Sequence, residues 1–190
     1  MGGKIWDEYS NQYFPEPVQY SKEQLQNVAK AVFLFEEATT MMMPENRKNC
    51  QYALPNHKSD NTPEVLKNHY RSVPQATWAG LFDYLDASSD IDDLNQRLGI
   101  ERWRSWSFTQ TYSPGVLKTV EFRRPPGAVH ENDACYWAKF ALGFVNAATM
   151  CDLSPYRSWT TSPTFDELCL FVQSGLDPLG PTYHNTIYRS

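Results

Sequence analysis

The chain has 190 residues, a net charge of -5, 41% hydrophobic residues and 14% aromatics. That is enough apolar material for one domain with a real core. The acidic balance argues against a nucleic-acid protein, which needs a clustered basic surface, and no apolar run approaches a membrane span. Residues 1–20 form a polar, aromatic-rich lead-in with Pro15 and Pro17 and without the apolar centre of a signal peptide, so the cytoplasm is the expected compartment. Ser21 with Gln24 reads as a capping box. Leu25, Val28, Ala29, Val32 and Phe35 follow at helical spacing, and Pro44 is expected to end that helix. Met41 to Met43 are expected to pack on the core at its end. After a polar loop over 45–61, Thr62-Pro63-Glu64 opens a helix through Tyr70. The stretch 76–84 leans helical. Ser89 or Asp90 opens a short helix over 91–98 that Gly99 closes.

Two strands are expected next, at 103–112 and 118–123, joined by a turn at Ser113-Pro114-Gly115. Asn132 or Asp133 is expected to cap a helix whose buried face carries Trp137, Phe140, Ala141, Phe144 and Ala148. Thr164 and Glu167 make a second capping box before a last helix ending near Gly175. The reading is α+β: a small antiparallel sheet with helices packed on one face. A single domain spans 21–175, with a tail over 176–190. Cys50, Cys135, Cys151 and Cys169 show no metal-ligand or redox spacing, and reduced, mostly buried thiols are expected. Cys50 with His57 and His69 matches no ligand pattern.

The segment Lys118-Thr119-Val120-Glu121-Phe122-Arg123-Arg124-Pro125-Pro126-Gly127 is the most informative. Alternation along a strand puts Thr119, Glu121 and Arg123 on one face and Val120 and Phe122 on the other. A carboxylate and a guanidinium two residues apart suit an anionic ligand and its metal. A cross-strand charge pair on a solvated face is the alternative. On the preceding strand, Trp103, Ser105, Ser107 and Thr109 share a face that can continue this surface, with Trp103 as its wall or as a sheet-edge residue.

Thr119-Val-Glu-Phe-Arg123, the Gly four residues later and the run Phe144-Val-Asn-Ala-Ala148 resemble the C-terminal part of the amidoligase family, carboxylate–amine ligases related to glutamine synthetase. Arg102-Trp-Arg-Ser-Trp-Ser-Phe108 sits where that family has Arg-Tyr-x-x-x-Asn-Leu. The segment from Leu34 to Pro44-Glu45-Asn46-Arg47 is similar to its long helix ending in Pro-x-x-Arg. The Pro-Pro-Gly bend is similar to a fungal variant. The resemblance implies a partial glutamine-synthetase-like fold and ATP-dependent amide formation on a small molecule. It implies Glu121 and Arg123 as catalytic residues, with Glu121 also the Mg²⁺ ligand. Thr119, with the Trp103, Ser105 and Ser107 face given by alternation, would bind substrate; Arg102 would support the nucleotide site or make a surface ion pair. The family's N-terminal glutamates and His-x-His are missing, and Ser107 replaces its Asn. This leaves three readings: a ligase subunit using ATP and Mg²⁺ and completed by a homodimer partner or second chain, a repurposed ATP-independent enzyme of secondary metabolism without cofactor, and an interaction module.

Overall fold

Ser21 accepts a hydrogen bond from the Gln24 backbone N–H, and Gln24 returns one to the Ser21 N–H. This reciprocal cap starts α1 (Lys22–Leu34), the central helix of the fold. Its apolar positions are buried along nearly the whole length, and Gln26 donates to the carbonyls of Leu85 and Asp86 and to Ser88 Oγ. Those bonds tie α1 to the C-terminal end of a neighbouring helix. At Phe35 the backbone leaves helical geometry (φ −97°, ψ 10°), and the chain resumes as α2 (Glu36–Met41). The step seats the Phe35 ring on Phe171 at 4.6 Å, with Phe144 and Tyr156 at its edges. The single helix expected up to Pro44 is therefore two. Of the three methionines only Met43 is fully buried, while Met41 is exposed.

The structure, a computed structural model, describes residues 20–58, 62–72, 77–99, 103–111 and 119–180, and the backbone of 4–7 and 12–15; the side chains of 70–72 are outside the description. In chain order the elements are β1 (Lys4–Asp7), β2 (Gln12–Pro15), α1, α2, α3 (Glu45–Lys48), α4 (Glu64–Ser72), α5 (Ala79–Asp86), α6 (Ile91–Leu98), β3 (Trp106–Ser107), β4 (Glu121–Phe122), α7 (Glu131–Met150) and α8 (Phe165–Leu176). The protein is α+β. β1 pairs antiparallel with β2 and β3 antiparallel with β4. The strands expected over 103–112 and 118–123 are much shorter. Ser107 bonds Thr109, and the chain turns into a 3-10 helix at Thr109–Thr111. The expected turn at Ser113-Pro114-Gly115 lies outside the described residues.

α7 starts earlier than expected. His130 is its cap, and Asp133, at the third position, accepts from the backbone N–H groups of Val129 and His130. α7 and α8 cross at two glycines. A Cβ on Gly175 would stand 2.0 Å from the Gly143 carbonyl oxygen and 2.5 Å from the Ala147 nitrogen. A Cβ on Gly143 would meet Val172 and Leu176. The close approach is sealed by Asn146 Nδ2 donating to the Gly175 carbonyl at 2.7 Å. On the other side of α7, Phe144 and Phe140 carry the β3–β4 pair. Trp106 stacks on Phe144 at 4.9 Å and on Phe122 at 4.3 Å, and Phe122 packs on Phe140 at 5.3 Å. The helix layer thus covers the Phe122 face of the strands. Among the described residues no helix is long and apolar enough to cross a membrane.

Candidate functional site

Three chain segments meet at β3 and β4. Trp106 stands opposite Phe122 and Ser107 opposite Glu121. The Arg123 N–H extends the pairing to the Ser105 carbonyl at 2.8 Å. On the other edge of β3, Leu54 forms a parallel bridge with Arg104. Its N–H donates to the Trp103 carbonyl at 3.2 Å, and its carbonyl accepts from Ser105 at 2.7 Å. The loop around Tyr52 is thereby pinned beside Trp103, two strands away from Arg123.

The outward part of this junction is an ionic and aromatic cluster. Arg123 Nη2 donates to Glu121 Oε2 at 2.7 Å. The Arg123 guanidinium carbon lies 5.5 Å from the centre of the Trp103 ring, a cation–π contact. Trp103 meets Tyr52 edge to face at 5.3 Å. Both rings reach solvent, Trp103 at 43% and Tyr52 at 56% exposure. Arg123 Nε, like Arg124 Nε, is buried and makes no hydrogen bond, which costs free energy. Thr119 is exposed, two residues before β4. Arg102 lies outside the described residues. Ser105 and Ser107 are fully buried, so their hydroxyls face the interior. Structure therefore brings Glu121, Arg123 and Trp103 together at the surface and places the two serines behind them.

Behind them is a second ionic system. Glu36 and Arg124 form a fully buried ion pair at 3.3 Å. The Glu36 carboxylate also accepts from the Asn56 N–H at 2.8 Å and from Ser105 Oγ at 3.0 Å. Arg124 donates further to Thr40 Oγ1 at 2.6 Å and to the Lys48 carbonyl at 3.1 Å. Arg104, also buried, donates to the Asn56 carbonyl and to Thr62 Oγ1 at 2.8 Å. Asn56 donates to the Trp106 carbonyl at 2.9 Å. Burial pushes the Glu36 carboxyl up, and Arg124, the Asn56 N–H and Ser105 pull against it. Burial, with Lys58 and Arg124 adding positive charge, lowers His57 to about 4.

Arg47 joins the two systems. Its Nη2 donates to the Arg123 carbonyl at 2.7 Å, and its Nε to the Arg124 carbonyl at 3.0 Å. One guanidinium thus fixes the backbone of both arginines. In sequence Arg47 is visible as the end of Pro-x-x-Arg. Glu36, Asn56, Arg104 and Arg124 were not legible as site residues, because helix periodicity and strand alternation carry no sign of contacts between distant segments.

Among the described residues the fit to ATP and Mg²⁺ is poor. Bridging and neutralising phosphate oxygens takes several carboxylates. Among the described residues no group of three His, Cys, Asp or Glu side chains could hold a metal ion. Glu121 is engaged by Arg123. Cys50 lies 3.5 Å from Arg47 Nη1, all four cysteines are free, and Cys135 is exposed rather than buried. Comparison with family models, with curated protein sequences and with solved structures returns no match.

Proposed function

We propose that this chain binds the carboxylate of a small molecule on Arg123, as a protein of amidoligase ancestry with a glutamine-synthetase-like arrangement of helices and strands. The observation that carries the reading is the Arg123 guanidinium. It is oriented by Glu121 and Trp103 and anchored through its carbonyl by Arg47. A planar, permanently charged fork of this kind suits a carboxylate. The resemblance supplies the chemistry: the substrate acid of an amide-forming ligase. Carboxylates for Mg²⁺ and ATP would then come from a homodimer partner or another chain that completes the sheet.

A second reading is favoured by the lone Glu121 carboxylate. One carboxylate beside a guanidinium suits acid–base work on a bound acid without ATP, in a biosynthetic enzyme. Four thiols without a disulfide suit a reducing compartment such as the cytoplasm. Calorimetry tests both readings. Small carboxylic acids are expected to bind wild type without nucleotide, and Arg123→Lys to weaken them at least tenfold while the protein stays folded. Equal binding by Arg123→Lys overturns the site. Titration with ATP and Mg²⁺ in the presence of the acid then separates the ligase from the ATP-independent enzyme.

A further inference from the structure

We infer that the acid bound at Arg123 carries an aromatic ring. This rests on the proposed role of Arg123 and adds a substrate class to it. Two aromatic side chains stand exposed on the side of the site away from the core, and neither is needed to fill it. Trp103 is 43% and Tyr52 56% exposed, on different segments, with ring centres 5.3 Å apart.

Their placement is fixed rather than incidental. The Leu54–Arg104 bridge, through the two backbone hydrogen bonds between Leu54 and residues 103 and 105, holds the Tyr52 loop against the Trp103 strand. An aromatic surface ordered before binding spends little conformational freedom on contact. The guanidinium lies 5.5 Å from the Trp103 ring. An anion at Arg123 and a ring against Trp103 and Tyr52 are therefore within the span of one small molecule. Ring–ring contact favours an aromatic guest over an aliphatic one of equal size, because the edge of one ring is drawn to the face of another.

The test is a titration with phenylacetate, cyclohexylacetate and acetate, followed by calorimetry or by the NMR shifts of the indole groups. Wild type is expected to bind phenylacetate about tenfold more tightly than cyclohexylacetate. Tyr52→Leu, at an exposed position that leaves the core intact, should bring the two to parity while acetate affinity stays unchanged. Parity in wild type, with acid binding retained, overturns the aromatic inference and leaves the carboxylate site standing. Absence of binding by all three acids overturns the carboxylate site and the inference with it. Tighter binding of adenosine monophosphate than of phenylacetate also overturns the inference, because the ring would then belong to a nucleotide.

Discussion

Glu36 and Arg124, 88 residues apart in the chain, form an ion pair whose side chains are 1% and 0% exposed. The pair locks the α1–α2 junction to the end of β4 and so sets where Arg123 stands. Removing one partner leaves the other buried and uncompensated, which costs about 3–5 kcal/mol. Glu36→Ala and Arg124→Met are each expected to lose that much stability in a urea melt. The double variant should lose much less than the two losses added together, and the cycle measures the coupling.

His57 makes stability depend on pH. Its folded value of about 4 lies below the ordinary histidine value of 6.5. The neutral form is favoured in the folded state, so the unfolded chain takes up the proton first as pH falls. Stability from this group is complete above pH 6.5 and is lost between 6.5 and about 4, to a maximum of about 3 kcal/mol. His57→Gln should flatten the curve in that window. A wild-type melt that is level from pH 7 to 4.5 would rule the linkage out.

The α7–α8 crossing depends on Gly175. A Cβ there would stand 2.0 Å from the Gly143 carbonyl oxygen, a backbone atom that cannot swing aside. Gly175→Ala should force the helices apart and cost about 3 kcal/mol or more, as overpacking does at its upper end. Gly80→Ala, where the new methyl meets open space beyond its own helix turn, serves as the control and should be neutral or slightly stabilising.

Phe122 carries the attachment of the strands to α7 through Trp106 and Phe140. Phe122→Asp places an unpaired carboxylate among those rings and should unfold the protein. A wild-type-like thermal melt for this variant would contradict the packing.

Glu121 competes with any incoming carboxylate for Arg123 Nη2. Glu121→Gln removes the competing charge and keeps the shape. It should therefore tighten acid binding a few-fold at low salt, with the gain shrinking as ionic strength rises. An affinity that falls instead would make Glu121 a direct ligand contact.

Local signals in the sequence carried most of the helices. The Ser21–Gln24 and Thr164–Glu167 boxes both form, Asp90 caps α6, and Gly99 ends it at φ 70°. Each depends on contacts within one turn, which sequence spacing reports directly. The break at Phe35 did not show, because it follows from ring contacts with Phe144, Tyr156 and Phe171 far along the chain. The strands were overestimated for a similar reason: alternation at 103–109 continues in sequence after Ser107 has turned toward Thr109.

Within the site, alternation was enough to place Glu121 beside Arg123, and Trp103 joins them through the cation–π contact, but Ser105 and Ser107, expected on the same face as Trp103, are buried behind it. The neighbouring Arg124 carries no local sign of a role in the core. It is the buried partner of Glu36, on the core-facing side that alternation also gives to Val120 and Phe122. Tyr52 fell in a stretch read only as polar loop, and a single parallel bridge at Leu54 brings it to the site.

The central claim is that the Arg123 guanidinium binds an anionic partner. The direct measurement is the arginine Nε–Hε NMR spectrum, with Arg123 assigned by comparison with Arg123→Lys, during titration with a small carboxylate. The Arg123 resonance should move downfield and saturate, while those of the buried Arg104 and Arg124 stay in place. A stationary Arg123 signal up to saturating acid, or equal drifts of all arginine signals, would contradict the account.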